Sequence, residues 1–381
     1  MTITTIPDDQ VRRPLAALPF WISLTMIPVV WTGALLGGLW VIATPVYAWV
    51  IYGLLDLLAG QDERNADPLM DRSGLGWYRA ITLVWAPVQF VTLFALIWYV
   101  TRADHLSPLE MWGLFFGMGV VSGTIGINYS HELMHQRQRI DRWMSDILLA
   151  MVLYSHFRSE HLLVHHRYVA TPRDPATARY NEGFHRFFPR VLRQSPVSAW
   201  RAEAAMLARR GLPPAHRSNP FWRYGLLQLV MLGLALAIGG WIGLVLFLVQ
   251  AFTAIWQLEL VNYVEHYGLT RRYLGDGKYE PVRPHHSWNS AHRMSNWLLI
   301  NLQRHSDHHY KPDRPFPLLQ TYSDAEAPQL PTGYSAMTAA AMIPPLWRRM
   351  MNPKVRAWRR QHYPDITDWS AYKTASNPAP R

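Results

Sequence analysis

The chain has 381 residues, half of them hydrophobic, and a formal net charge of +11. It contains no cysteine, which excludes disulfides, iron–sulfur clusters, thiolate zinc sites and a cysteine nucleophile. Several apolar runs match the roughly 20 residues that cross a bilayer. The positive charge is therefore expected at a cytoplasmic membrane face and not on a surface that binds nucleic acid.

Six apolar segments predict six transmembrane helices. In chain order they are 18–41, 44–60, 78–101, 108–130, 223–238 and 241–262. Thr44-Pro45 is the predicted turn of the first helical pair, and Gly239-Gly240 is the predicted turn of the last. The presumed outer turns contain a single basic residue, Arg102. Because basic residues favour the cytoplasmic side, both termini are predicted to be cytoplasmic.

The remaining polar chain is predicted to form a cap on the cytoplasmic side. It comprises segments 131–221 and 265–381, and no repeat or low-complexity linker divides it. We therefore expect residues 1–381 to form one membrane domain with an all-α fold. This domain is predicted to be embedded in the lipid bilayer.

Nine of the 17 histidines fall into four short clusters, all on the predicted cytoplasmic side. They are His131 and His135; His161, His165 and His166; His266; and His305, His308 and His309. Residues four apart share a helix face, so His161 is expected to pair with His165, while His166 points toward a second ion. Nine imidazoles are too many for one tetrahedral zinc but suit two ions of four or five ligands. The clusters therefore predict a two-metal centre.

Four carboxylates adjoin these histidines, namely Glu132, Glu160, Glu265 and Asp307. They are expected to accept the free ring N–H of a ligand and fix its tautomer, and direct metal binding by some of them stays open. The other histidines do not cluster in this way. His156, His285, His286 and His292 are open to a supporting or a structural role, whereas His105, in an outer turn, is expected to have no metal role.

Simpler interpretations exist for single motifs. His131-Glu132-x-x-His135 alone would suit an intramembrane zinc metalloprotease with Glu132 as base, but seven histidines would then be unexplained. A non-catalytic metal-binding or transport protein is a further alternative, although histidines gathered on one side line no permeation path. No dinucleotide fingerprint is present, so redox chemistry would need an external electron source.

The motifs together resemble a known family. They read HELMH from His131, EHLLVHH from Glu160, NYVEHYGL from Asn262 and LQRHSDHH from Leu302. This set is similar to that of the integral-membrane alkane hydroxylases, non-haem di-iron enzymes of the membrane fatty acid desaturase and hydroxylase superfamily, and the similarity covers about residues 40–355. The stretch from Asn262 is the most discriminating. Departures from the family pattern occur between ligand positions, at Met134, Gln136, Leu162 and Val164.

The resemblance implies a function. An enzyme of this kind uses O₂ at two iron ions to hydroxylate the terminal methyl group of a medium- or long-chain n-alkane, giving a 1-alkanol. Electrons would come from a rubredoxin, reduced in turn by an NAD(P)H-dependent reductase. A bacterial inner membrane would be the location. A fatty-acyl desaturase and an alkyl-aromatic methyl hydroxylase are the alternatives within the superfamily.

Two further expectations concern the substrate and the electron donor. Trp49 occupies the position of the family's bulky chain-length gate and is expected to line the substrate channel, with plain packing as the alternative. The basic stretches Arg348-Arg349, Lys354–Arg356 and Arg359-Arg360 are candidates for docking an acidic rubredoxin. Contact with anionic lipid headgroups is the alternative for these stretches.

Overall fold

The structure is a computed structural model that describes residues 3–375. Its regular structure is almost entirely helical, which confirms the predicted all-α fold. The strands are short. Thr4–Ile6 pairs in parallel with Arg64–Ala66, and Tyr273–Gly275 pairs antiparallel with Lys278–Tyr279. The first pair ties the N-terminal segment to the loop that follows the second long helix.

Five helical stretches in the described part of the chain are long and apolar enough to cross a membrane. They are Pro14–Leu36, Gly38–Ala59, Gly76–Val100, Pro108–His135 and Phe221–His266. The first, second and last bury a third or less of their most apolar window. Such a large unburied apolar surface suits lipid and not water. The chain is thus a multi-pass membrane protein.

The first two spans meet at Gly37-Gly38, so the predicted turn at Thr44-Pro45 is wrong. Gly37 and Gly38 have φ of 62° and 55°, a region that glycine enters without steric cost. The helices then run close together, because a Cβ on Gly33 would lie 2.9 Å from the carbonyl oxygen of Trp40. A proline near the start of a helix does not interrupt it. Thr44-Pro45 therefore lies within the second span.

The last stretch, Phe221–His266, contains two legs. A straight helix of its 46 residues would be about 70 Å long, more than twice the hydrocarbon thickness. Gly240 breaks the helical dihedrals with φ 60° and ψ −156°. A Cβ on Gly243 would lie 2.8 Å from the carbonyl oxygen of Ala235, so the second leg folds back beside the first, as predicted for Gly239-Gly240. That each leg crosses the membrane, giving six spans, stays a prediction.

The polar segments fold into shorter helices. The first segment contains Arg139–Met151, Phe157–Glu160, His166–Tyr168 and Phe184–Ala208, and the second contains Arg293–Leu298, His305–Tyr310, Tyr334–Ala341, Pro344–His362 and Ala371–Thr374. Asp8–Val11 precedes the first span. Three-ten turns occur at Leu18–Thr25, Gly38–Ile42, Arg72–Gly74, Pro284–His286 and Phe316–Leu318, and π-helical segments at Val46–Ile51, Ser122–Ile127 and His161–His165.

Aromatic packing joins these helices to the ends of the long ones. Tyr263 and Tyr267, on and just after the last span, contact Trp347 of Pro344–His362 with ring centroids 5.2 and 5.3 Å apart. All three side chains are fully buried. The polar segments therefore pack on the same end of the spans that carries the histidine motifs.

Candidate metal centre

The structure brings all nine clustered histidines together in two neighbouring groups. The first group contains His131, His135, His161, His166 and His308; the second contains His165, His266, His305 and His309. Within each group the candidate ligand atoms all lie within 4.8 Å of one another. The carriers are the ends of two long helices, the helical stretch around His161, and the helix His305–Tyr310. Residues more than 170 positions apart thus meet at one place.

The ring nitrogens that converge are the Nε2 atoms. In the first group, Nε2 of His131 lies 2.9 Å from Nε2 of His308, and in the second, Nε2 of His305 lies 3.0 Å from those of His266 and His309. A neutral imidazole has one donor and one acceptor nitrogen, so like nitrogens gathered this densely cannot all be satisfied by each other. A cation at the centre of each group would use every lone pair, and the donor set therefore fits two metal ions.

A π-helical segment decides how the second motif is divided. His161–His165 adopts this wider helix, in which residues five apart, not four, come into line. Nε2 of His161 consequently lies 2.9 Å from Nε2 of His166, whereas His165 belongs to the other group. The predicted pairing of His161 with His165 is therefore wrong, and the doubled His165-His166 serves both groups.

The rings outside the long helices are held in the form that binds metal. Burial and the neighbouring imidazoles lower the pKa of His161, His166, His305, His308 and His309 well below the ordinary value. These rings are therefore neutral at pH 7, with Nε2 lone pairs available to a cation.

The metal-free protein should consequently lose stability in acid. Below about pH 6.5 the unfolded chain takes up protons on these histidines, while the folded chain, with its lowered pKa values, does not. The free energy of unfolding therefore falls as the pH falls. We expect the melting temperature of chelator-treated protein to drop steadily from pH 7.5 to pH 5.5, and metal-loaded protein to resist further into acid because the bound ions stabilise the fold. A melting temperature independent of pH would contradict this prediction.

One buried carboxylate, Asp174, supports a histidine and was not predicted from the sequence. Oδ2 of Asp174 lies 2.8 Å from Nδ1 of His165 and also accepts from the Thr177 hydroxyl at 2.7 Å, while Oδ1 accepts from the Ala176 amide. The contact fixes the His165 proton on Nδ1 and leaves Nε2 free for a metal. Asp174 lies nine residues after His165 and adjoins none of the clustered histidines, so residue spacing alone did not single it out.

The four predicted carboxylates behave differently from one another. Glu265 enters the second group: its Oε2 lies 3.3 Å from Nε2 of His305, and its Oε1 accepts from the Tyr334 hydroxyl at 2.7 Å. This places Glu265 where it could bind metal directly, the possibility left open above. Its buried position at the end of the last span keeps both oxygens away from bulk water.

The expected contact with a ring N–H is wrong for the other three among the described residues. Glu132 accepts from Gln136 and from the Phe316 amide. Asp307 binds the side chains of Arg314 and Tyr322, and Oε1 of Glu160 is buried without a partner in residues 3–375. The physical reason is helical geometry: a neighbour in sequence points about 100° away from the ligand ring, whereas a supporting group must lie beyond that ring.

The remaining histidines lie outside both groups. His285 stacks on His362 with ring centroids 4.2 Å apart, and Nε2 of His286 lies 2.8 Å from the Tyr363 hydroxyl. His292 contacts Ser290. His105, in the turn between the third and fourth spans, contacts the carbonyl oxygen of Ala34. His156 packs on Tyr154.

An apolar cavity lies beside the two groups. Its wall includes His131 and His161 of the first group and His305 of the second, and Trp49 forms part of the wall within the membrane helices. Trp49 contacts Phe116 and Trp256 edge-on, with centroids 5.9 and 6.2 Å apart. Each of the three π-helical segments named above contributes to this wall. The cavity thus extends from side chains of the membrane helices to both histidine groups.

Fold and site together define a helical membrane protein with a two-part histidine centre that opens onto an apolar cavity. Residues 106–341 match the model of the fatty acid desaturase family. The chain is 40% identical to alkane 1-monooxygenase 2 of Pseudomonas aeruginosa over 84% of its length and 86% of the relative's, and 38% identical to the alkane 1-monooxygenase of Ectopseudomonas oleovorans over 91% and 90%.

A more distant similarity points in the same direction. The hydroxylase component of the xylene/toluene monooxygenase of Pseudomonas putida is 30% identical over 68% of this chain and 69% of that protein. The chain belongs to the fatty acid desaturase family, as an enzyme of the alkane 1-monooxygenase group. The family resemblance stated from the motifs is thereby confirmed.

Proposed function

We propose that this protein hydroxylates the terminal methyl group of a medium- or long-chain n-alkane to the 1-alkanol, with O₂ as oxidant, two non-haem iron ions as cofactor and rubredoxin as electron donor. The overall reaction consumes the alkane, O₂, two electrons and two protons, and yields the alkanol and water. The apolar cavity that meets histidines of both groups is the observation that carries this proposal.

The nine histidines are the proposed ligands, five for one iron and four for the other. The second group has fewer imidazoles, and Glu265 stands beside it as a further oxygen donor. When bound, the irons would supply the redox chemistry that activates O₂. The task of the chain itself is to hold the rings neutral and correctly turned, as Asp174 does for His165, and to keep bulk water away from the reacting methyl group.

The cavity supports a long apolar substrate. An alkane has no polar group to recognise, so orientation must come from the shape of the cavity. The cavity wall contains Leu258, Val261 and Leu298 as well as Trp49 and the histidines. A chain entering from the bilayer would place its terminal methyl at the metal centre and its remaining carbons among these apolar side chains.

Trp49 is the proposed limit on chain length. Replacing it with alanine removes the indole from the cavity wall and opens space toward Phe116 and Trp256. We expect the longest alkane that is turned over to grow by several carbons, with little change for short ones. Competition assays with alkanes of graded length measure this effect. Trp40→Ala, which removes an exposed indole outside the cavity, is the matched control, and an unchanged length profile in Trp49→Ala would refute the proposed role.

The electron donor is proposed to dock on the helix Pro344–His362. Arg349, Lys354, Arg356 and Arg360 are exposed on this helix, which gives a basic surface for an acidic protein. Arg359 is different, because its guanidinium lies between the rings of Tyr180 and Trp369, at 4.6 and 4.5 Å. It is therefore assigned to packing, and the docking role rests on the exposed residues.

A reconstituted system tests the whole proposal. Purified protein should carry about two irons per chain, and with rubredoxin, its reductase and NAD(P)H it should convert an n-alkane to the 1-alkanol. Leaving out rubredoxin should stop turnover. Iron-free protein that is fully active would refute the metal assignment. The same assay is run with an alkyl-aromatic substrate, which the xylene/toluene relative suggests as the alternative. If its methyl group is hydroxylated in preference to the n-alkane, the proposed substrate is wrong and the alkyl-aromatic compound takes its place.

The proposed location is a bacterial inner membrane with the metal centre on the cytoplasmic side. The support is the charge asymmetry of the loops: the turn between the first two spans is glycine-rich, and the next contains Arg102 alone among basic residues. The polar segments at the histidine end contain most of the other basic residues, as the positive-inside rule requires.

A further inference from the structure

A second cavity, of about 280 Å³, lies where the first membrane span begins. One side of it is apolar, with Val11 and Phe20 from the N-terminal region and Trp297 from the helix Arg293–Leu298. The other side is basic, with Arg64, Arg293 and Arg304. This cavity does not include any of the nine clustered histidines, and it has no part in the function proposed above.

Arg304 is the most buried charge in the cavity wall, with 7% of its surface exposed. Its terminal nitrogens donate to Asn65 Oδ1 and to backbone carbonyl oxygens, those of Asp62, Arg64 and Leu319. All of these acceptors are neutral. Its Nε is buried and has no acceptor among the described residues. The guanidinium therefore stabilises the loop that precedes the third span. Asp62 and Asp307 lie close enough to interact with its charge, but no carboxylate of the described residues forms a hydrogen bond or ion pair with it.

Arg293 repeats this arrangement on the same wall. Its Nη2 donates to the carbonyl oxygen of Gln61, and its buried Nε also lacks an acceptor in residues 3–375. Asp62 also lies on this wall, but it is already paired with Arg64 at 2.8 Å. Arg304 is buried and Arg293 is half-buried, and no carboxylate of residues 3–375 forms an ion pair with either. An anion in the cavity that both line would balance their charge.

We infer that this cavity binds the phosphate of an anionic phospholipid headgroup. Guanidinium groups match phosphate oxygens in geometry and charge, and basic pockets at the ends of membrane helices are suited to acidic lipids. The apolar residues of the wall would contact the acyl chains of this lipid beside the first span. Support of the loop alone accounts for the terminal nitrogens of Arg304, but it leaves both guanidinium groups without an ion pair among the described residues.

A lipid-retention experiment tests this inference directly. The full-length protein is transferred to vesicles of phosphatidylcholine with or without 20% phosphatidylglycerol, released into mild detergent, and weighed with its retained lipids by native mass spectrometry. We expect one tightly held phosphatidylglycerol per chain and no phosphatidylcholine. Arg293→Gln should weaken retention about fivefold, and Arg293→Lys should restore part of it because the charge remains.

Three controls keep the outcome decisive. Arg186→Gln removes an exposed charge far from the cavity wall and should retain the lipid as the unchanged protein does. Millimolar inorganic phosphate should not displace the lipid; displacement would assign the cavity to a soluble phosphate and overturn the inference. Equal retention of the two lipids, or full retention by Arg293→Gln, would overturn it as well. Iron content and turnover are measured separately, so failure here is distinct from failure of the proposed hydroxylase function.

Discussion

Replacing His266 with alanine should remove about one iron per chain and abolish alkane turnover. His266 belongs to the group of four, where its Nε2 lies 3.0 Å from that of His305. Its loss leaves three imidazoles for that ion. Removing a group that merely supports a ligand costs roughly 10–100-fold in metal affinity or activity, and removing a ligand itself should cost more than this.

The measurement combines iron analysis with product formation on the same preparation. His285→Ala is the matched control, because His285 lies outside both groups, stacked on His362, and the variant should keep both irons and its activity. Membrane insertion and the melting temperature of the chelator-treated proteins show that His266→Ala still folds. A His266→Ala variant with two irons and normal turnover would contradict the ligand assignment.

The sequence allowed prediction of which histidines meet but not how they divide. Spacings of three and four residues indicated that each cluster could present its rings together, and the single-sided topology predicted that the clusters would converge. The division depends on the π-helical segment His161–His165, which aligns His161 with His166. A local change of helical pitch depends on packing between distant segments, and residue spacing does not reveal it.

Supporting contacts were harder to predict for a similar reason. Glu132 and Asp307, which adjoin ligand histidines in sequence, were expected to accept a hydrogen bond from a histidine ring. In the structure they contact Phe316 and Arg314 instead. Asp174 does support a ring, because the chain turns back after His165 and places this residue, nine positions later, behind the imidazole. The same limit applies to the first helical hairpin. The length of the apolar segments predicted both spans, but the position of the turn was not predicted: it lies at Gly37-Gly38, where glycine allows positive φ.

Replacing Asp174 with asparagine should weaken iron binding in the second group about 10–100-fold. The carboxylate accepts the Nδ1 proton of His165 at 2.8 Å, which makes Nε2 a better donor and fixes the ring orientation. Asparagine has nearly the same shape but no charge, and its amide can also donate, so the preferred tautomer of His165 is no longer enforced. Competition with a calibrated chelator measures the change in affinity, and Asp174→Glu should recover part of it.

This effect is distinguishable from simple loss of stability. Asp146→Asn is the matched control, since Asp146 is equally buried and pairs with Arg158 and Arg223 at 2.6 and 3.0 Å, but it contacts no imidazole among the described residues. It should lower the melting temperature and leave the iron affinity unchanged. Asp174→Asn should weaken affinity for one of two irons while the chain-length profile set by Trp49 stays the same, because the cavity wall is intact. Equal loss of iron in both variants would mean that Asp174 acts only on the fold, whereas a loss confined to Asp174→Asn would assign it to the His165 ring.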